Sequence, residues 1–585
     1  MAHRIILILF CVLTAQICLF TDTECAPAQN APSRGWSTTT SAPMLGSPVL
    51  ADLNNDGVDE IVLTTYGITN PYGEGWLYAW DGAGASLTGF PVHLTGAAPG
   101  TPAVGDLDGD GDLEIVQGTW NYLYVFNADG TNAAGWPKSN YVTQAAALAD
   151  LDGDGDLEII AAVSSSMKVY HHDGTNYTGF PVSVTNDLTA PAVGDLDGDG
   201  DLEIVAGSYV ASGSTTDNVF AWHHDGTAVA GFPTTTAGSV KAAPTLADLD
   251  QDGTLEVIAD CWNKTGTDFL YVWSHTGADE AGWPLAIPYI RLSSPSAADL
   301  DKDGDLEIAV GGWSTSPYGE VVNVLHHDGT PLAGFPVVLN NSPSGNVNST
   351  CTIGDIDGDE LFEIVLKAAN NIFALNSDGS VASGFPLFLD DESHSGTTSP
   401  TPALGDPDND GLVEIFAASS FNNAALFDLS GLASADMIPW PMHRRGATNR
   451  GLYAAPALAA DSHLLSAGTG GSINFSLDAT VANGGRNTLL TGSVSGTAPG
   501  TLLPGGLAVI PLNRDWFTDY ILARLNAPAF VNFWGVLDGA GQSTAQLNTF
   551  GSFNPWFIGK TVHFAYSTAS PWDYVSNAVA VAIVP

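Results

Sequence analysis

The stretch Asp106-Leu107-Asp108-Gly109-Asp110-Gly111-Asp112-Leu113-Glu114-Ile115-Val116 is the key to the rest of the chain. It recurs with small variations from Asp52, Asp106, Asp150, Asp195, Asp248, Asp299, Asp355 and Asp406, a mean spacing of about 51 residues. Each copy has the same surroundings. A short apolar segment with a Pro or small-residue entry precedes it, as in Thr101-Pro102-Ala103-Val104-Gly105. An alternating segment such as Tyr122–Phe126 and a turn such as Asp129-Gly130 follow. The unit closes on Gly-Phe/Trp-Pro, at Gly89, Gly135, Gly179, Gly231, Gly282, Gly334 and Gly384, with Pro439-Trp440-Pro441 in the eighth place.

Self-similarity at a fixed period signals an array, and four short antiparallel strands per ~40–50 residues predict a propeller blade. Blades are buried on both faces, which accounts for the Val/Ile/Leu runs beside each acidic loop. The expected fold is therefore all-β, an eight-bladed or alternatively seven-bladed β-propeller followed by a small C-terminal β-sandwich. Gly35–Thr40 resembles the Gly231–Thr236 strand and is a candidate to complete the last blade from the N-terminus, in competition with Trp440. The expected boundaries are a signal peptide at 1–28, the propeller at 29–452, a linker at 453–460 and a β-sandwich-like domain at 461–585.

The loop Asp-x-Asp-x-Asp-Gly-x-x-Glu offers side-chain oxygens at positions 1, 3, 5 and 9 and a backbone carbonyl at 7. Gly at 6 allows the left-handed turn that wraps the loop around an ion. Hard oxygen ligands in this number suit Ca²⁺, whereas Mg²⁺ demands a tighter octahedron and keeps more water. The expected ligands are Asp52, Asn54, Asp56, Val58 and Glu60 in the first loop and Asp106, Asp108, Asp110, Asp112 and Glu114 in the second. The third and fourth have Asp150, Asp152, Asp154, Asp156 and Glu158, then Asp195, Asp197, Asp199, Asp201 and Glu203. The fifth and sixth have Asp248, Asp250, Asp252, Thr254 and Glu256, then Asp299, Asp301, Asp303, Asp305 and Glu307. The last two have Asp355, Asp357, Asp359, Leu361 and Glu363, then Asp406, Asp408, Asp410, Leu412 and Glu414. Glu360 replaces Gly at position 6 of the seventh loop, predicting weak binding or a strained turn. Pro407 in the eighth falls between ligands and is harmless as long as its amide is unused.

Charge points the same way. Lys+Arg 16 against Asp+Glu 64 gives −48, which excludes a nucleic-acid backbone or an anionic membrane as partner. The loop carboxylates number 31, nearly half of the 64 acids, and eight Ca²⁺ would bring the formal charge to about −32. No open coordination position or neighbouring base is evident, so the ions read as structural. Residues 1–28 read as a secretory signal: Arg4, an apolar run Ile5–Phe20, then Ala26-Pro27-Ala28. No later stretch is long and apolar enough to span a bilayer. Three of five cysteines lie in or beside the signal, leaving Cys261 and Cys351 and ruling out a disulfide framework.

The repeats resemble FG-GAP/VCBS repeats, the integrin α-subunit propeller class, over about residues 36–452. In that class the loop binds Ca²⁺ between the first two strands of a blade, with Asp rather than Glu in the ninth place. The resemblance implies up to eight structural Ca²⁺ and a secreted or cell-surface binding and adhesion module. A calcium-containing eight-bladed propeller also resembles the rhamnogalacturonan-lyase type, which implies a polysaccharide lyase as the alternative.

If strands alternate up and down, the acidic loops and Asp-Gly turns share one face. The opposite face carries the loops of variable length, near Tyr66–Gly75, Tyr209–Asn218, Trp262–Asp268 and Trp313–Gly319, and binding usually lives on such loops. Six places beyond the ninth-position Glu stand Tyr66, Trp120, Tyr209, Trp262 and Trp313, either a partial ring of platforms for sugars or peptides or plugs between blades. Lys241 and Arg291 precede first strands on the same face and are candidates to meet an anionic ligand. His171-His172, His223-His224 and His326-His327 belong to different blades, cannot converge, and read as repeated turn chemistry. No Gly-x-Ser-x-Gly elbow, His-Glu-x-x-His or phosphate-binding loop occurs, and no catalytic constellation is evident. The expectation is a calcium-stabilised module for an extracellular protein or polysaccharide.

Overall fold

The computed structural model describes residues 32–585 apart from 68–72, 211–212, 214–215, 265–266, 288–292, 316–317, 340–348, 369–370, 390–399, 420–421, 435, 451, 453–456, 480–482, 498–499, 504–507, 540, 550, 552–554, 570–571 and 573. In the second repeat, the inner strand Ala103–Gly105 pairs with Glu114–Gly118, which pairs with Tyr122–Asn127, which pairs with the outer strand Lys138–Ser139. The register sets Val104 opposite Ile115 and Ile115 opposite Phe126, so apolar side chains stack across the sheet. Inner and second strands are buried along their whole length, as sheets covered on both faces require. Among the described residues, eight sheets of this order succeed one another between residues 33 and 432, seven of four strands and the fourth with a short extra strand, Asp187–Leu188. The inner strand Val49–Ala51 lies beside both Ala103–Gly105 and Ala403–Gly405, so the array closes on itself as a β-propeller.

Closure is made from the N-terminus. Ser33–Thr39 pairs antiparallel with Asn423–Leu432, with Ser37 opposite Ala425, and becomes the outer strand of the last sheet. Trp36 anchors it, with ring centroids 6.3 Å from Trp80 and 5.7 Å from Phe416. Successive sheets are keyed at their outer ends. A Cβ on Gly89 would stand 2.0 Å from the Asp129 carbonyl of the next repeat's Asp-Gly turn, and Gly135 stands in the same relation to Asp173. That contact is why the closing motif begins with glycine.

Trp440 does something else. The segment 437–452 runs along the inner edges of the inner strands and answers their N–H groups in sequence. Asp355 N donates to Met437 O (2.8 Å), Ile353 N to Trp440 O (2.9 Å) and Leu404 N to Pro441 O (2.7 Å). Val104 N then donates to Ala447 O (2.8 Å), Leu148 N to Thr448 O (3.0 Å) and Val193 N to Arg450 O (2.9 Å). Leu246 bridges Leu452. The segment thus satisfies buried donors that the sheets leave unpaired. Trp440 is fully buried in the same core as Ile353 and Met437.

Beyond residue 457 the described residues form a two-stranded pair, Thr501–Leu502 with Val509–Ile510, and two larger sheets. One has the order Leu458–Ala460, Ser472–Asp478, Gln542–Asn548, Phe530–Val531. The other has Leu464–Ser466, Val579–Val584, Thr561–Ala569, Asn487–Ser493, Trp534–Val536, its first pair parallel. Phe475 and Leu477 of the first meet Phe564, Tyr566 and Val581 of the second in one core. The helix Trp516–Leu522 is capped by Asp515, whose carboxylate accepts from Phe517 N and Thr518 N. The expected loop at Trp313–Gly319 is largely strand instead: Glu307–Thr315 and Tyr318–Leu325 pair as a long hairpin with Trp313 opposite Glu320.

Candidate metal centres and the axial cavity

Each acidic loop is wound by two left-handed residues. Position 6 was foreseen (Gly111, φ 95°), but position 4 is left-handed as well, even where it is Gln251 (φ 60°) or Lys302 (φ 59°). The position-1 carboxylate ties the turn by accepting from the position-6 N–H, as Asp106 Oδ2 does from Gly111 (3.0 Å) and Asp299 Oδ2 from Gly304 (3.2 Å). Position 5 accepts from position 7, as Asp110 Oδ1 does from Asp112 N (2.9 Å). These bonds point the remaining oxygens inward. In the second loop one oxygen each of Asp106, Asp108 and Glu114 lie within 4.8 Å of one another; the eighth gathers Asp406, Asp408, Asp410 and Glu414 in the same way.

The ninth-position Glu is buried and divided in its bonding. One oxygen accepts the N–H of position 2: Leu53, Leu107, Leu151, Leu196, Leu249, Leu300 and Ile356 donate at 2.7–3.0 Å to Glu60, Glu114, Glu158, Glu203, Glu256, Glu307 and Glu363. The other oxygen faces the cluster. In three loops it meets a histidine from the Asp-Gly turn of the same repeat: His171, His223 and His326 Nδ1 lie 3.0, 2.9 and 3.0 Å from Glu158, Glu203 and Glu307 Oε1. The histidines stay apart from repeat to repeat, yet each belongs to its own acidic cluster. Their spacing from the loop, about a dozen residues or more, hides this until the strands are paired. In the first loop Asn54 Nδ2 donates to Glu60 Oε1 (2.7 Å), so Asn54 turns its amide nitrogen to the Glu.

Pro407 proves not to be harmless. It occupies position 2, where the other seven loops use the amide, and it has no N–H to give. Both oxygens of Glu414 are consequently buried without a hydrogen-bond partner among the described residues, at 1% exposure. Burial first, then Asp408, Asp406 and Asp410, push its carboxyl up to about 10. Asp106 Oδ1 and Asp299 Oδ1 are also buried without a partner among the described residues. A cation is the partner that such converging, orphaned carboxylate oxygens fit. Burial, with the neighbouring aspartates, likewise raises Glu60, Glu114 and Glu307 to about 7 and Glu256 to about 8.

Glu360 keeps the left-handed turn at position 6 (φ 67°) and sends its side chain away from the loop. Its Oε1 accepts from His463 N (2.7 Å) and Ser462 Oγ (3.1 Å), tying the seventh repeat to the C-terminal sheets. Beside it, His463 Nε2 lies 3.1 Å from Asp436 Oδ2, which also accepts from Ala460 N.

On the opposite face, Tyr66 and Trp120 of adjacent repeats meet edge to face at 5.6 Å. Tyr209 OH accepts from Gln144 Nε2 (3.5 Å), and Lys241 Nζ sits 4.1 Å from the centroid of the Trp262 ring. These four rings are half-buried; Tyr66, Trp120 and Tyr209 make contacts across repeats, whereas Lys241 and Trp262 belong to the same repeat. Trp313 lies in its strand, and Arg291 falls outside the described residues. On the propeller axis is a cavity of about 240 Å³, lined among others by Ser47, Thr101, Gln144, Lys241, Thr401 and His443. Sequence reasoning found Lys241 alone of these; Ser47, Thr101, Gln144 and Thr401 are single polar residues before inner strands and His443 belongs to the axial segment, and only ring closure assembles them.

Residues 52–117 and 150–206 match the FG-GAP-like repeat family. No curated protein matches the chain. Among solved structures, the V. cholerae biofilm matrix protein Bap1 is similar at 13% identity over 72% of this chain and 96% of that one, with a TM-score of 0.48. The Dos1 propeller is similar at 11% identity over 68% and 96%, TM-score 0.43. The Pseudomonas aeruginosa PilY1 C-terminal domain is similar at 13% identity over 65% and 92%, TM-score 0.34. Sheet order, ring closure and the repeat match agree on one description: the chain carries FG-GAP-like repeats built into a β-propeller.

Proposed function

We propose that the protein is a secreted or cell-surface β-propeller, stabilised by calcium in up to eight acidic loops, that binds an extracellular protein or polysaccharide through the face opposite those loops. Glu414 carries the metal reading. A carboxylate 1% exposed with both oxygens unpartnered among the described residues, within reach of three aspartates, is a large cost to a folded protein unless a cation neutralises it. The side chains at positions 1, 3, 5 and 9 and the carbonyl at 7 would hold the ion, with Glu oxygens donated from the inner side. A bound Ca²⁺ supplies charge neutralisation and nothing more is asked of it. Secretion rests on the signal-like residues 1–28, which lie outside the described residues; elsewhere no described helix is long and apolar enough to cross a membrane. The 453–460 linker and the 461–585 sandwich complete the proposed domain plan. Support for a binding role is the rigid scaffold with half-buried aromatics and a polar axial cavity on one face. Calcium stoichiometry by isothermal titration tests the metal part, with several sites per chain expected and none sinking it. A glycan and matrix-protein array probed in calcium tests the binding part, with Trp120→Ala and Trp262→Ala as comparators.

A further inference from the structure

The axial cavity departs from the rest of this acidic molecule in what it presents. Three hydroxyls on its wall link neighbouring repeats by accepting backbone N–H groups. Thr401 Oγ1 accepts from Thr350 N (3.0 Å), Ser47 Oγ from Thr401 N (2.9 Å) and Thr101 Oγ1 from Ser47 N (3.0 Å). Ser47, Thr101 and Thr401 are 5%, 6% and 2% exposed, and none donates its own proton to another described residue. Each fixed hydroxyl therefore retains one donor, and the amide of Gln144 and the ammonium of Lys241 line the same space.

A buried cation adjoins the lining residues in sequence. Arg444 follows the lining residue His443 and is 1% exposed. Its guanidinium donates to the carbonyl of Pro191, next to the lining residue Ala190, while its Nε and Nη1 have no partner among the described residues. No carboxylate pairs with it among the ion pairs of the described residues. In a protein of net charge −48, a buried arginine with no ion-pair partner among the described residues adjoins a wall of hydroxyl donors.

We infer that the axial cavity binds a carboxylate-bearing polyhydroxyl ligand, one acidic sugar residue in size, with hydroxyl and amide donors on its oxygens and Lys241 on its carboxylate. This rests on the binding-module reading. The volume of about 240 Å³ is below the ~300–1,000 Å³ of drug-sized sites, which holds the occupant to a single such residue. Lys241 is positioned to report on it, because its ammonium lies against Trp262.

The test is titration of the full mature chain, in calcium, with glucuronate, with glucose, and with a glucuronate-containing oligosaccharide, by calorimetry and tryptophan emission. Glucuronate is expected to bind, glucose about tenfold more weakly or less, and ligand binding to shift Trp262 emission. Lys241→Met should weaken glucuronate binding about tenfold or more, the loss of one charge-assisted bond. Gln144→Leu is the second variant, read the same way should Lys241→Met melt early. Binding of the oligosaccharide but not the monomer, lost in Lys241→Met, assigns the site to an acidic residue within a polymer and supports the inference. Equal binding of glucose and glucuronate, or affinity untouched by both variants, overturns it. Array binding that survives Lys241→Met and is not displaced by glucuronate overturns it too, yet leaves the binding-module reading standing. Silence of every probe on both titration and array removes the two together.

Discussion

Calcium removal should invert the pH dependence of stability. Without metal, Glu60, Glu114 and Glu307 are pushed up to about 7 and Glu256 to about 8 by burial and by their aspartate neighbours, at exposures of 2%, 8%, 0% and 3%. Unfolded, each would titrate near its ordinary value, so between about pH 5 and 7 the folded chain holds more protons than the unfolded one. Stability that is full below the unfolded pKa is then lost as pH rises through the folded pKa. From about pH 5.5 to 7 that is about 1.5 units, or about 2 kcal/mol per carboxylate. Ordinary Asp and Glu are ionised throughout that window, so general repulsion does not produce the same slope. With calcium the sign reverses, because the ion competes with the proton and is bound better as pH rises. Thermal melts of chelator-dialysed and calcium-loaded protein at about pH 5.5, 6.2 and 7 read both slopes. Glu114→Gln should flatten the metal-free slope in proportion. A metal-free melting temperature that is level or rises over this range refutes the reasoning.

Pro407→Leu restores the missing N–H under Glu414. It should stabilise the metal-free chain by about 1 kcal/mol, net of the entropy the proline confers, as read by chelator melts; unchanged stability would show that the amide is not what Glu414 lacks. Trp440→Ala empties a fully buried site beside Ile353 and should cost about 3–5 kcal/mol in denaturant unfolding. Glu360→Ala removes the acceptor for His463 N and Ser462 Oγ and should cost about 1.5–3 kcal/mol at that junction, seen as faster proteolysis between residues 436 and 464 with the repeats still intact. Starting the chain at Ser41 deletes the outer strand of the last sheet; the product should melt lower and self-associate on size-exclusion chromatography through the bared edge of Asn423–Leu432.

The repeat string made the blades and acidic loops legible, because a fixed period and fixed oxygen positions are local properties. Whether the N-terminal strand or Trp440 closes the ring was not, since both carry the same Trp-centred signal; Trp36 stands opposite Leu426 in the last sheet, whereas Trp440 reaches Ile353 on the axis. Pro407 was misjudged for a related reason. Its cost lies in a backbone donor, and nothing in the side-chain pattern says that position 2 supports position 9. The histidines at 171, 223 and 326 carried no sign of their carboxylate partners until the second and third strands were in register. The axial cavity was the least legible of all, being assembled from short segments before the inner strands of several repeats together with His443 of the segment that follows the last repeat.

The ring is sealed by two pieces that cannot act early. Ser33 reaches Asp428 across 395 positions of chain, and the segment lining the axis follows the last repeat. A nascent chain emerging in order therefore holds its first strand idle, with a free edge, until nearly three quarters of the polypeptide has been made. Contacts of such separation close slowly, and unpaired edges invite association in the meantime. Maturation is thus tied to synthesis of the last repeat: a chain stopped before it has the first fastener without a partner and lacks the second altogether.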